Sequence, residues 1–284
     1  MSEAKPAFVF VHGAWHSGRC WDKVIGSLTA AGFRARAVDL PGAGADARMP
    51  ACLKDGEPDP EQAATEPSPA ADITQSERNA VVIAAVREAA AQSGGKVVLV
   101  GHSMGGVTIT PVAEAEASSL HALVYLTAFM LPPDMPAVAM ILHETMRDAV
   151  VPSLFLADPQ QVGALRIHAK SRDPAYLQRL HQAFYGDLPI EDMAEIQQYL
   201  HSDEPAGVAA EPSPMSRDGV GRLPRHYIRC TQDQAITVAG QDFMIEAVDM
   251  AIGGKTVVHR LESSHSPFFS QPEELARMLI DIAR

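Results

Sequence analysis

Three short apolar runs set the rhythm of the chain: Phe8-Val9-Phe10-Val11, Val97-Val98-Leu99-Val100 and Ala122-Leu123-Val124-Tyr125-Leu126. Each is rich in β-branched or aromatic residues and uninterrupted by polar positions, the pattern of a parallel strand buried on both faces. Between them the period lengthens to that of a helix. Asp22 to Ala31 is amphipathic and stops at Gly32, and Ser76 to Gln92 puts Val81, Val82, Ala85, Val86 and Ala89 on one stripe before Gly94-Gly95. Val107 to Ala117 reads as a third helix, Arg34 to Leu40, Arg225 to Cys230 and Thr256 to Arg260 as strands, and Pro272 to Ala283 as a closing helix with Leu275, Met278, Leu279 and Ile282 inward. Alternation of strand and helix at this spacing predicts an α/β fold, a mostly parallel central sheet flanked by helices.

Two segments depart from that rhythm. Residues 43–75 are rich in Ala, Pro, Asp and Glu with almost no large apolar side chains, which predicts a long, partly mobile surface loop, either a solvated insertion or a flap near a site. Residues 131–222 lose the strands and read as helices at Pro136 to Asp148, Pro159 to Ala169, Ala175 to Phe184 and Ile190 to Leu200. The expected organisation is one α/β core of residues 1–130 and 223–284, with 131–222 inserted as a helical cap over the open end of the sheet.

Composition narrows the partners. The chain has 284 residues, 46% of them hydrophobic and 20% charged, as in soluble globular proteins. A net charge of −12 repels phosphate backbones and anionic lipid, so neither nucleic acid nor a membrane is the expected partner. No basic and apolar leader opens the chain at Met1, and the scattered Cys20, Cys52 and Cys230 suit a reducing, cytoplasmic compartment better than a disulfide framework, a Cys20–Cys52 bridge being the lesser alternative.

Chemistry concentrates in Gly101-His102-Ser103-Met104-Gly105-Gly106, directly after an apolar run and before a helix of small residues. A serine on so sharp a strand-to-helix turn is a nucleophile elbow, and the flanking Gly101 and Gly105 let strand and helix approach closely. An unaided serine hydroxyl is a poor nucleophile, so Ser103 needs a base and the base an orienting acid. Of eleven histidines, His265 lies in the loop between the last strand and the last helix, whereas His259 lies within a strand and His121, His143, His168, His181, His201 and His226 have no such placement. Asp233, three residues after a strand, is the preferred acid; Asp134 is the runner-up. The oxyanion donors expected are the backbone N–H groups of Met104 and of Ala14, with His12 holding its own loop by backbone hydrogen bonds. Trp15, Phe129 and Met140 are candidate substrate contacts, beneath cap side chains such as Met146, Phe155 and Phe184. No metal or other cofactor is called for.

Together, His12-Gly13-Ala14-Trp15-His16 with Trp21, the elbow, Cys230-Thr231-Gln232-Asp233 and Ser264-His265-Ser266-Pro267 resemble the α/β-hydrolase superfamily, in the branch of plant methylesterases, hydroxynitrile lyases and bacterial carboxylesterases that includes pyrethroid hydrolases. Tyr125-Leu126-Thr127-Ala128 and Ser264 through Ser270 look particularly like the pyrethroid-hydrolase type. The resemblance implies the α/β-hydrolase fold, Ser103, Asp233 and His265 as triad, and Ala14 and Met104 as oxyanion donors. The lyases carry a lysine after the catalytic histidine and a threonine in the first loop, where this chain has Ser266 and Ala14, so cyanohydrin cleavage is disfavoured. Residues 43–75 exceed the family's usual connection. The expectation is a serine carboxylesterase acting on a small-molecule ester with an apolar portion, as a monomer or homodimer; a lactonase, thioesterase or acyltransferase with the same triad, or a non-catalytic ligand receptor, are the alternatives.

Overall fold

The computed structural model describes residues 5–54 and 56–284. Its strands, in chain order, are β1 (Ala7–Val11), β2 (Ala35–Val38), β3 (Val97–His102), β4 (Leu120–Leu126), β5 (Ala164–Arg166), β6 (Asp203–Pro205), β7 (Arg225–Cys230) and β8 (Val257–Leu261). The helices are α1 (Asp22–Ala30), α2 (Pro60–Thr65), α3 (Gln75–Gln92), α4 (Gly105–Glu116), α5 (Ala137–Ile141), α6 (Pro159–Val162), α7 (Pro174–Phe184), α8 (Met193–Ile196), α9 (Gly207–Ala210), α10 (Val238–Ile252), α11 (Pro267–Ser270) and α12 (Pro272–Ile282).

Six strands form one sheet in the order β2-β1-β3-β4-β7-β8, every pairing parallel. Alternation along the strands divides the core in two. Val9, Val11 and Leu99 face Val82 and Val86 of α3 and Ile109 and Val112 of α4, whereas Phe8, Phe10, Val98 and Val100 face Trp21, Val24 and Leu28 at α1 and Leu275 and Leu279 of α12. The unbroken apolar runs are thus strands covered by helices on both sides, as their pattern predicts. Helix α3 begins in a capping box, Thr74 Oγ1 accepting from the Glu77 N–H at 3.2 Å and Glu77 Oε2 from the Thr74 N–H at 2.8 Å. Pro111 inside α4 cannot donate to the Val107 carbonyl, and the Ser213 hydroxyl supplies the missing bond at 3.0 Å.

Between β4 and β7 the structure differs from the predicted run of helices. Pro159 to Ala169 is not one helix: α6 ends at Gly163, whose φ of 76° is left-handed, and β5 then pairs antiparallel with β6. The cause is Arg166. Its buried guanidinium is bidentate on Asp203, at 2.9 and 2.8 Å, which requires the extended pairing. Residues 136–148 also split, α5 ending at Ile141 and a new turn starting where His143 accepts from the Thr145 N–H.

Residues 43–75 are likewise not a featureless loop. They hold α2, capped by Asp59, and short turns at Gly44–Asp46 and Ala51–Leu53, with Leu53, Ala63 and Ala70 buried. Their order comes from hydrogen bonds that the apolar pattern cannot register. The Arg166 Nη1 donates to the carbonyls of Ala63 and Glu66 at 2.9 and 2.8 Å, the Ser68 N–H donates to the Val162 carbonyl at 2.7 Å, and Glu66 accepts from the Ala51 and Cys52 amides. The buried Arg78–Glu204 pair, at 2.5 Å, fastens β6 to α3. Cys20, Cys52 and Cys230 are free thiols. Among the described residues no helix is long and apolar enough to cross a membrane.

Candidate active site

The chain reverses its winding after β2, so that β3 lies on the other side of β1. In open α/β sheets a crevice forms at the carboxyl ends of the strands near such a point. His12 follows β1, Ser103 follows β3, Thr127 follows β4, Asp233 follows β7 and His265 follows β8, all at that edge.

Ser103 adopts φ 52°, a left-handed backbone that a side chain tolerates only when its surroundings enforce it. The Ser103 N–H donates to the Leu126 carbonyl at 3.3 Å, and its carbonyl accepts from the Gly106 and Phe129 amides at 3.0 Å. The flanking glycines allow this: a Cβ on Gly101 would stand 2.7 Å from Ile109 Cδ1, and one on Gly105 2.6 Å from the His12 carbonyl. Ser103 remains half-buried.

His265 and Asp233 meet by their side chains. Nδ1–H of His265 donates to Asp233 Oδ2 at 2.7 Å; both residues are buried. Because a carboxylate only accepts, Nδ1 carries the proton and Nε2 is left as the acceptor, the tautomer a general base requires. Asp233 is held by four donors. Oδ1 takes the Ala235 and Ile236 amides at 2.7 and 2.9 Å, and Oδ2 takes the Thr127 hydroxyl as well as His265. The alternative acid, Asp134, is exposed on a turn. His102 joins the two loops, since its Nε2–H donates to the His265 carbonyl at 2.9 Å. Burial, reinforced by the neighbouring His265 and His16, pushes the His102 imidazole well below its ordinary range, so it stays neutral beside the base.

The loop after β1 packs directly on the serine. Residues 14 and 15 form a turn with Trp15 at φ 60°, and among the described residues neither the Ala14 nor the Met104 N–H donates a hydrogen bond within the protein. His12 holds the loop as expected, Nδ1–H donating to the Gly13 carbonyl at 2.8 Å and Nε2 accepting from the Leu40 amide at 3.1 Å. His16 does the same for the next peptide: Nδ1–H donates to the Ala14 carbonyl and Nε2 accepts from the Tyr185 hydroxyl, each at 2.8 Å. Burial depresses His16 to about 3, so it too is a neutral structural group.

Ser103 opens into a narrow cavity with about 30 Å³ of free volume, its hydroxyl the one in a wall of apolar and aromatic side chains. Trp15 and Phe129 line it, as expected. Met140 does not: it is wholly buried against α10, near Gly240, while the next residue, Ile141, and Met146 form the wall. A helix turns its side chains by about 100° per residue, so a one-position difference decides which of the two sees the cavity. Thr127, His16 and His102 lie within motifs that the sequence reading quotes, but it gives none of them a role of its own; for Thr127 the available signal is a polar side chain directly after a buried strand. Among the described residues no group of three or more His, Cys, Asp or Glu is arranged to hold a metal ion.

Comparison with known proteins bears on this arrangement. Residues 8–278 match the sequence profile of an alpha/beta hydrolase family. A pyrethroid hydrolase of Sphingobium wenxiniae is 29% identical over 275 residues, covering 97% of this chain and 86% of the relative. Methylesterase 7 of Arabidopsis thaliana is 28% identical over 293 residues, covering 97% and 95%. A crystal structure of a pyrethroid hydrolase superposes with a TM-score of 0.76 at 26% identity, covering 98% of this chain and 97% of that one.

Proposed function

The chain belongs to the alpha/beta hydrolase family, and from that premise we propose that it is a serine carboxylesterase for a small ester with an apolar portion. One observation carries the reading: the His265–Asp233 pair, in the tautomer of a base, at the same sheet edge as a strained serine that lines an apolar cavity. The relatives named as esterases and hydrolases support it.

In this mechanism Ser103 Oγ attacks the ester carbonyl while His265 Nε2 takes its proton, and Asp233 stabilises the imidazolium. The oxyanion of the tetrahedral intermediate is received by the N–H groups of Ala14 and Met104, neither of which donates within the protein among the described residues. His265 returns the proton to the departing alcohol, and water then cleaves the acyl-enzyme by the same steps reversed in role. His12 and His16 keep the Ala14 peptide in place. The neutral wall suits an uncharged acyl or alcohol group, because a charge there would lose its hydration with no partner. Ser266, buried beside the base, brings no cation to hold a leaving cyanide, which favours hydrolysis over cyanohydrin cleavage.

The test is turnover of p-nitrophenyl esters and acylation by an organophosphate. Ser103→Ala is expected to abolish both, and the native enzyme to give a burst of one p-nitrophenol per site. Undiminished turnover in Ser103→Ala overturns the proposal, and so does the absence of any acylation.

A further inference from the structure

The loop carrying His265 is held from the cap as well as from the core. Three cap positions, the last residue of α7 and two just beyond it, each grip a different part of the site. Phe184 lines the cavity and offers its carbonyl to Ser264 Oγ at 3.3 Å. Tyr185 donates to His16 and so steadies the Ala14 peptide. Asp187 does most, because its carboxylate gathers hydroxyls from both sides of His265: Ser263 Oγ at 2.8 Å, Ser270 Oγ at 2.8 Å and, on its other oxygen, Ser264 Oγ. Ser263 and Ser264 are buried, and without Asp187 their hydroxyls keep only the longer contacts, 3.3 Å to Ser270 Oγ and 3.3 Å to the Phe184 carbonyl. Burial alone would raise the Asp187 carboxyl, but the hydrogen bonds from Ser264, Ser270 and Ser263 outweigh it and hold the group below its ordinary range, so it is anionic at neutral pH.

We propose that Asp187 is a positioning residue for His265, tying the base loop to the cap so that the cap must be seated for the base to be in register with Ser103. The inference rests on the serine-esterase reading of Ser103 and His265. Its chemistry is specific to this placement. An anion is the one group that accepts from three hydroxyls at once, and the loop it binds has no other cap anchor of that strength. The His265 carbonyl is fixed on the core side by His102, so the loop sits between a core clamp and a cap clamp, and releasing either loosens the backbone from which the imidazole is aimed.

The experiment compares the native enzyme with Asp187→Ala, Asp187→Asn, Ser264→Ala and the Asp187→Ala/Ser264→Ala double variant, on a short-chain p-nitrophenyl ester. Sites are counted by organophosphate titration run to completion, and thermal unfolding is followed in parallel. Asp187→Ala is expected to lower kcat per titrated site roughly tenfold or more with KM changed by less than about threefold, the signature of a misplaced catalytic group. Asp187→Asn, whose amide oxygen still accepts, recovers part of that loss, and the double variant is no worse than Asp187→Ala alone, since the Ser264–Asp187 bond is already lost in that variant. Native kcat per titrated site in Asp187→Ala overturns the proposal, whatever the melting temperature does. Should Asp187→Ala fail to fold, native kcat in both Asp187→Asn and Ser264→Ala overturns it. Ser103→Ala and His265→Ala separate the two readings: activity retained in them rejects the esterase mechanism, whereas activity lost in them but intact in Asp187→Ala rejects only the positioning role.

Discussion

Gly13→Ala is the sharpest probe of how the first loop serves the nucleophile. A Cβ at position 13 would lie 2.6 Å from Ser103 Cβ, 2.9 Å from His102 Nδ1 and 3.1 Å from the His102 carbonyl oxygen. Ordinary contact begins near 3.4 Å, so the serine or the loop must yield by about 0.8 Å. Gly13 is not among the glycines of positive φ, so the added methyl acts through space alone. Under the proposed mechanism either movement separates the Ala14 N–H from the oxyanion assigned to it, and a misplacement near 1 Å costs on the order of 10²-fold in rate. That corresponds to about 2.7 kcal/mol of transition-state stabilisation, with about 1–3 kcal/mol of fold stability lost to overpacking. Steady-state kinetics on a p-nitrophenyl ester, with urea unfolding alongside, measure both. Gly26→Ala is the matched control: nothing lies within 4 Å of its added Cβ on α1, and it should gain up to about 1 kcal/mol of stability with native kinetics. A folded Gly13→Ala enzyme within about threefold of native kcat/KM would refute the steric argument, because a 1 Å displacement cannot be so cheap.

Other perturbations follow from the same contacts. Thr127→Val removes one donor from Asp233 while keeping the β-branched shape, and should cost about 1.5–3 kcal/mol of stability and roughly tenfold in kcat; Thr127→Ser should restore both, and a native kcat in Thr127→Val would show the hydroxyl to be dispensable. Arg166→Met leaves Asp203 buried without its cation and two carbonyls without a donor, so unfolding should show a loss of about 3–5 kcal/mol, with protease cleavage moving into residues 43–75. His201 is depressed to about 4 and His16 to about 3, burial being the main cause. Both stay neutral in the fold while the unfolded chain takes up protons below its ordinary pKa near 6.5, so stability falls as pH drops from about 6.5 toward 4, by about 1.4 kcal/mol per pH unit for each histidine the fold keeps neutral. His201→Gln should therefore lose about 2 kcal/mol less than the native protein between pH 7 and pH 5; identical losses in urea titrations would contradict the assignment.

Much of the site is legible in the sequence because its determinants are local. A glycine-flanked serine after an apolar run can be read from six residues, and Asp233 and His265 are found because each follows a strand that the apolar pattern marks. Asp233 rather than Asp134 follows from its place just after β7, and the structure pairs it with His265. That Ile141 rather than Met140 lines the cavity is not legible in the sequence, because a five-residue helix gives too few turns for a stripe to point anywhere. Residues 43–75 were read as a loop because apolar periodicity is blind to a segment ordered by hydrogen bonds.

The sequence by itself determined the α/β alternation, the elbow and the chain order of the candidate triad, since strand period, turn residues and strand ends are properties of contiguous residues. Only the tertiary structure decided that Arg166 orders residues 63 and 66, that Tyr185 steadies His16 and that Asp187 holds the loop of His265 through Ser264, pairs lying 103, 100, 169 and 77 positions apart. The physical reason is that a hydrogen-bond partner is chosen by which polar groups folding buries side by side. Such a choice leaves no period in the chain.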